Sequence, residues 1–177
     1  MFYYPLPPDA ELRLLMPHHA EELFAICDAN RLRLSQYLPW IDTTFSAHDT
    51  RSFITGALDQ FAAGDGFHAG IWCEGHLAGC IGLHKIDWLN RCVSLGYWVA
   101  EEFSGRGLVT RAAAACTACC FDELKLHRVE IRCAVENEAS RRVAERLGFE
   151  REGLLRGAGK VRDRYLDMLI FSKLAQP

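Results

Sequence analysis

The apolar positions of the chain change period several times, and each change marks an element. After a proline-rich lead-in over residues 1–10, Glu11-Leu-Arg-Leu-Leu15 alternates weakly and reads as a first strand, which Pro17 breaks. From His19 to Ala29, Leu23, Phe24, Ile26 and Cys27 recur at helical spacing. Asn30 to Pro39 follows as a short helix or turn carrying Leu32, Leu34, Tyr37 and Leu38. A longer helix is expected up to about Ala63, capped by Ser46 or Asp49, with Phe53, Ile54, Leu58 and Phe61 on one face. Gly64-Asp-Gly66 ends it.

The period then drops to two. Phe67 to Cys73 and His76 to His84 read as strands joined by a hairpin turn at Glu74-Gly75. After a turn over Asp87 to Asn90 comes the strand Arg91 to Val99, in which Val93, Leu95, Tyr97 and Val99 alternate with Ser94, Gly96 and Trp98. A glycine turn, Gly105-Arg-Gly107, leads into an alanine-rich helix from Leu108 to Phe121. A strand from His127 to Val135 and a helix from Asn137 to Leu147 precede two last strands, Phe149 to Gly157 and Tyr165 to Leu174, with a polar turn at Gly157 to Asp163. The order β-αα-α-βββ-α-β-α-ββ predicts a mixed α/β (α+β) sheet in one domain over residues 1–177, with no internal repeat or linker.

Composition narrows the class. Half of the 177 residues are apolar, enough for a sizeable core, and no apolar run reaches the roughly 18 residues of a membrane span. The first eight residues lack the basic region and long apolar stretch of a secretory signal. A formal charge of −3 argues against direct nucleic-acid binding. Arg141, Arg142, Arg146, Arg151, Arg156, Lys160, Arg162 and Arg164 make the last quarter basic, a pattern expected of a solvated helix face and hairpin. The eight cysteines are scattered through apolar segments or, as Cys116, Cys119 and Cys120, share one helix, so they read as small hydrophobes and not as a disulfide frame or zinc site. Reduced thiols and no signal predict a cytoplasmic protein with no metal and no membrane partner.

The chemistry concentrates at Gly105-Arg-Gly107. A helix N-terminus offers unpaired N–H groups and the positive end of a dipole, and flanking glycines let an anion approach, so this turn is a candidate phosphate cradle. A P-loop would need Gly-x4-Gly-Lys-Ser/Thr, which is absent. A dinucleotide fold would need a third glycine where Thr110 stands, and an ordinary turn without ligand is the third reading. A second motif then follows: Asn137, Ser140, Leu147-Gly148-Phe149 and Glu152-Gly153. With Gly105 to Thr110 at that distance before it, the chain resembles the GNAT (N-acetyltransferase) superfamily over nearly its whole length. Leu38-Pro-Trp-Ile41, Gly96-Tyr-Trp-Val99, Gly105-Arg-Gly-Leu-Val-Thr-Arg111 and Tyr165-Leu-Asp-Met-Leu169 are similar to the ribosomal-protein N-terminal acetyltransferases, notably the serine enzymes. The chain departs from the family pattern at Ser104 (usually Gln or Arg), Val109 (usually small), Ala144 (often a tyrosine acid) and Gly159 (an acidic residue in some members).

The resemblance implies a twisted, mostly antiparallel sheet with splayed central strands and flanking helices. It implies acetyl-CoA as co-substrate, bound at Gly105 and with its pyrophosphate on the N–H groups of Arg106, Gly107, Leu108, Val109 and Thr110, with side-chain contacts from Thr110 and Arg111. The backbone of Trp98 and Val99 is expected to bond the pantetheine arm from one wall and Asn137 from the other, with Arg142 on the adenosine phosphates. Ser140 is implied as the catalytic group that bonds the coenzyme sulfur and returns its proton; the alternative is a helix serine back-bonding a carbonyl. Tyr37 and Trp40 are candidates for the acceptor wall or for packing, and Glu101, Glu102 and Asp87 for a base acting through water. The expected reaction is direct acetyl transfer in a ternary complex to the N-terminal α-amine of a protein. An α-amine, with pKa about 7.7–8.0, is roughly a tenth neutral at pH 7, whereas a lysine at about 10.4 is neutral roughly four times in ten thousand. Weak base equipment therefore favours the α-amine. A small-amine acetyltransferase (antibiotic, amino acid or polyamine) and a non-catalytic coenzyme A binding or sensing protein are the other readings, and the resemblance also implies a homodimer.

Overall fold

The computed structural model describes residues 3–176; the expected lead-in and domain include residues 1, 2 and 177, which lie outside them. An eight-stranded sheet organises the chain. In chain order its strands are β1 (Tyr3–Leu6), β2 (Ala10–Leu14), β3 (His68–Cys73), β4 (His76–Leu83), β5 (Cys92–Val99), β6 (Arg128–Ala134), β7 (Glu150–Val161) and β8 (Arg164–Leu174). Their order in the sheet is β1-β2-β3-β4-β5-β6-β8-β7. Every neighbouring pair is antiparallel except β5 and β6, which run parallel and are joined by a crossover helix. The helices are α1 (Ala20–Ala29), α2 (Arg31–Leu34), α3 (Ala47–Ala62), α4 (Leu108–Asp122) and α5 (Glu138–Arg146), with a 3-10 turn at Pro39–Thr43.

Local chemistry explains the boundaries. Ser46 caps α3, its hydroxyl accepting from the Asp49 N–H while the Asp49 carboxylate takes the Phe45 N–H. Glu74 and Gly75 both have positive φ, 52° and 83°, as a two-residue hairpin turn demands. The small residues of α4 let it lie close on the sheet: Ala112, Ala113, Cys116 and Cys120 are fully buried against Ile71, Ile81, Leu95 and Ile131. Burial pushes the Cys120 thiol up to about 12, and all eight cysteines are free, as structural thiols should be. On the opposite face α1 and α3 cover Trp72, Leu77 and Cys80 with Leu23 and Ile54.

Two expectations need correction. Tyr3–Leu6, read as part of the lead-in, is a strand paired with β2; only its Leu6 is buried, so alternation could not reveal it, and Pro5 is tolerated on an edge strand. The last hairpin is longer than expected: β7 and β8 run to Val161 and Arg164, and the turn is only Arg162-Asp163. The segment from Gly157 to Lys160 looks like a turn because the hairpin's tip is largely exposed, whereas Val161 is buried beside Leu166. The Asp167 carboxylate takes the Gly157 N–H at 2.8 Å where the register shifts.

The opening that matters lies mid-sheet. The β5–β6 register ends at Leu95 opposite Ile131. Beyond that pair β5 stays with β4 as far as Val99, and β6 stays with β8 as far as Ala134, so the two strands part.

Candidate active site

The glycine turn sits just past β5. Gly105 and Gly107 adopt φ of 78° and 72°, the left-handed region that strains any L side chain. Space is not the reason, since a Cβ at either would touch nothing within 4 Å. Gly107 is the N-cap of α4, and no side chain caps the helix; its carbonyl takes the first intrahelical bond, from the Arg111 N–H at 3.0 Å. The N–H groups of Leu108, Val109 and Thr110 therefore have no acceptor within the helix, and the positive end of the dipole opens there. Leu108 is buried and anchors the turn. Arg106 and Arg111 point away from the cradle. Arg106 pairs with Glu74 at 2.9 Å and Asp9 at 3.2 Å; Arg111 donates to the Leu6 carbonyl and pairs with Asp9 at 2.8 Å. Hydrogen bonding from Arg111 holds the Asp9 carboxyl below its usual range. The side-chain contact expected of Arg111 is thus spent on the β1–β2 turn, and the cradle is backbone.

The free edge of β5 supplies the second element. His84 N–H donates to the Ser94 carbonyl at 3.0 Å and Ala100 N–H to the Ala78 carbonyl at 2.8 Å. By alternation, Gly96 and Trp98 also turn their backbone groups to β4, and Tyr97 and Val99 turn theirs into the opening. The exposed amides expected of Trp98 and Val99 therefore belong to Tyr97 and Val99. Trp98 contributes its indole on the α1–α3 face, 6.1 Å from the ring of Trp40. The Val99 carbonyl is taken by the Arg33 guanidinium, whose buried Nε has no hydrogen-bond partner among the described residues. The buried Asn30 side chain accepts from the Glu101 N–H at 2.8 Å, so α2 is pinned to the end of β5 at two points.

Opposite stands the start of α5. Asn137 is its N-cap, the side-chain oxygen accepting from the Ser140 N–H at 3.2 Å. The Ser140 hydroxyl lies 3.0 Å from the Tyr97 hydroxyl, which also reaches the Ser140 carbonyl at 3.3 Å. Thr117 shows the alternative for a helix hydroxyl, donating to the carbonyl four residues back; the Ser140 hydroxyl instead meets the Tyr97 hydroxyl on β5. Cys133, on β6, also lies against the Ser140 side chain. Arg142 is exposed and paired with Glu138 at 2.7 Å.

The remaining candidates separate. The Tyr37 hydroxyl donates to the Glu136 carbonyl at 3.2 Å, and its ring packs on Ala134, Val161 and Leu166. It ties the turn after α2 to β6 and the last hairpin. Trp40 is 37% exposed and lies beside Trp98. Asp42 and Arg162, 120 residues apart, form a two-bonded pair at 2.8 Å that joins the Pro39–Thr43 turn to the hairpin tip. Glu101 and Glu102 are exposed immediately after β5. Asp87 is excluded by position: it bridges Cys92, at the far end of β5, roughly 23 Å from Val99 at about 3.3 Å per residue. Ala144 is fully buried, and Gly159 faces Met168, whose sulfur would lie 2.8 Å from a Cβ there. His84 is packed over Gly96, and burial lowers its pKa.

A family model described as an acetyltransferase (GNAT) domain matches residues 10–150. The chain belongs to the GNAT family of acetyltransferases. It is 39% identical over 164 residues to YdaF of Bacillus subtilis (strain 168), a protein provisionally assigned as a ribosomal N-acetyltransferase, covering 92% of this chain and 90% of that one. It is 30% identical over 164 residues to the ribosomal-protein-serine acetyltransferase of Escherichia coli (strain K12), covering 93% and 92%. A solved structure of RimL, described as a ribosomal L7/L12 alpha-N-protein acetyltransferase in complex with coenzyme A, superposes with a TM-score of 0.94 at 26% identity and 98% coverage of each chain.

The protein is therefore an N-acetyltransferase of GNAT type that uses acetyl-CoA as co-substrate. The dinucleotide and P-loop readings of the glycine turn fall away. The geometry fits the co-substrate: uncapped N–H groups at α4 suit a pyrophosphate, and the edge of β5 past Leu95, where Tyr97 and the Val99 N–H have no strand partner, suits an arm carrying two amides. No helix among the described residues is long and apolar enough to cross a membrane, and no group of three or more His, Cys, Asp or Glu side chains there could hold a metal. Tyr97, Arg33 and Asn30 are the site-lining residues that pattern reading missed. Tyr97 carried only a strand signal, and Arg33 and Asn30 meet β5 through tertiary contacts about 70 residues away in sequence.

Proposed function

We propose that the protein acetylates the N-terminal α-amine of a protein, of the ribosomal-protein type, by direct attack in a ternary complex. The observation that carries this is the wedge between β5 and α5: two hydroxyls, those of Ser140 and Tyr97, meet there, and the nearest carboxylates in sequence to the end of β5, Glu101 and Glu102, are exposed to solvent. Such equipment serves an amine that is already partly neutral at pH 7, as an α-amine is and a lysine is not. The Arg33 guanidinium on the Val99 carbonyl adds a fixed positive charge, which works against polyamines and other polycations.

Each residue then has a role. The N–H groups of Gly105, Arg106, Gly107, Leu108, Val109 and Thr110 hold the pyrophosphate. Val99, with Tyr97 in place of Trp98, presents backbone groups to the pantetheine arm, and the Asn137 amide faces it from α5. Arg142 exchanges Glu138 for the adenosine phosphates. The neutral acceptor nitrogen attacks the thioester carbon, the C–N bond forms as the C–S bond breaks, and Ser140 gives its proton to the departing sulfur. The nitrogen's surplus proton leaves to water, directly or through Glu101 or Glu102, and water returns a proton to Ser140 Oγ. Trp40 lines the acceptor path, with Tyr37 as its brace. All of this lies in one domain over residues 1–177. Eight free cysteines suit the reducing cytoplasm. Pairing into a homodimer would draw on β7, an edge strand with Leu154 and Leu155 exposed.

The test is coenzyme A thiol release from acetyl-CoA with peptides beginning in Ser or Ala, and separately with spermidine, amino acids and an aminoglycoside. Release with the peptides alone is expected. Release confined to small amines would make this a small-molecule enzyme, and binding of acetyl-CoA without release would leave a sensor.

A further inference from the structure

We propose that Tyr97 is a positioning residue that turns the Ser140 hydroxyl proton toward the leaving sulfur; this rests on the reading of Ser140 as proton donor. Tyr97 follows the last β5–β6 pair by two residues, on the same face as Leu95, so its side chain enters the wedge where the strands part. Its hydroxyl reaches two acceptors of one residue, Ser140 Oγ at 3.0 Å and the Ser140 carbonyl at 3.3 Å.

One phenolic proton can serve only one of them, and the choice decides what Ser140 can do. When Tyr97 donates to the carbonyl, Oγ receives no proton from the phenol, and the serine O–H is free to turn to the phenol oxygen or the Cys133 sulfur, where its proton is held inside the protein. When Tyr97 donates to Oγ, the serine proton is released to point outward into the opening. A hydroxyl that accepts a hydrogen bond is also a stronger donor. A developing thiolate in the opening selects the second arrangement, because it attracts the serine proton. Burial holds the Tyr97 phenol above its usual pKa, so it stays protonated at neutral pH and remains a hydrogen-bond donor to Oγ. The proton that reaches the sulfur is the serine's; the tyrosine hydrogen-bonds Oγ, which recovers a proton from solvent after the transfer. The Asn137 cap fixes the Ser140 backbone while this exchange takes place.

The distinction between aligning Ser140 and merely packing is measurable. Tyr97→Phe keeps the ring and removes only the hydroxyl. With acetyl-CoA and a Ser-initiated peptide, kcat is expected to fall roughly 5- to 10-fold, the size of one hydrogen bond. The KM for acetyl-CoA and the urea midpoint should stay unchanged. Ser140→Ala is expected to cost roughly a hundredfold in kcat. The double variant should be no slower than Ser140→Ala alone, since Tyr97 acts only through that hydroxyl. Equal slowing by Tyr97→Phe in both backgrounds would overturn the proposal, as would an effect confined to KM and the urea midpoint. If Ser140→Ala matches the wild type, the proton-donor reading fails and the Tyr97 role with it. A wild type that binds acetyl-CoA but turns over no amine would instead sink the function proposed above.

Discussion

The two walls of the opening are built differently. The coenzyme side, from β5 through Gly105 and Gly107 to α4, is made of backbone: two left-handed glycines, an uncapped helix start and an unpaired strand edge. The side we propose for the acceptor, from α2 through the Pro39–Thr43 turn to the β7–β8 hairpin, is held by side chains reaching across the opening. Arg33 bonds Val99, Tyr37 bonds Glu136 and Arg162 bonds Asp42. A backbone wall tolerates changes of side chain, which is why Ser104 and Val109 leave the cradle intact; the Ser104 hydroxyl simply turns back to the Ala100 carbonyl at 3.3 Å. A side-chain wall is specific to its residues, and it is where acceptor choice should reside.

Breaking the coenzyme wall should give the largest effect. Gly107→Val forces a branched side chain into a φ of 72° at the cradle, and roughly a hundredfold rise in the KM for acetyl-CoA is expected from strain of about 1–3 kcal/mol plus the blocked approach. Val109→Ala, which leaves the backbone alone, should stay within about threefold. Both are read by calorimetry of coenzyme A binding and by kinetics.

Acid should loosen the α1–α3 face of the sheet first. His68 lies against Phe53 of α3 with ring centroids 5.2 Å apart, and burial holds its pKa down at about 4 from 6.5, with the neighbouring charge of His84 a smaller cause. The folded pKa is depressed, so the unfolded chain takes up the proton first. The stability from neutral His68 is complete above about pH 6.5 and is lost as pH falls toward 4, by about 2 kcal/mol at pH 5. A urea midpoint that does not fall between pH 7 and pH 5, or that falls equally in His68→Gln, would remove this assignment. Hydrogen exchange should locate the early loosening in α1 and α3 rather than α4.

Arg33→Gln tests the acceptor wall directly. It removes a charged hydrogen bond and a fixed charge, so kcat/KM for a Ser-initiated peptide should fall roughly tenfold and the preference for peptide over spermidine should shrink. The smallest effect is expected of Arg162→Ala. Its pair with Asp42 is exposed, so thermal stability should not change measurably, and only the peptide KM should rise, about two- to threefold.

The same contrast explains what the sequence made legible. Glycine spacing, the Asn137 cap position and the alternation of β5 follow from local backbone rules, so the cradle, α5 and most of the sheet can be read along the chain. Tyr3–Leu6 escapes because three of its four residues are exposed, and the tip of the last hairpin escapes because it looks like a polar turn. The acceptor wall escapes for a deeper reason. The partners of Arg33, Tyr37 and Asp42 lie 66, 99 and 120 residues away, and no local period encodes them. Tyr97 was visible as a strand residue, but its hydroxyl acquires meaning only when α5 is brought against β5 by the fold.

The most direct test of the account is a choice offered within one molecule. A short peptide with a free N-terminal serine and an internal lysine, incubated with acetyl-CoA and the protein at pH 7, is read by fragmentation mass spectrometry. The account predicts a single acetyl group on the serine α-amine. Acetylation of the lysine ε-amine, with the serine amine free, would contradict it.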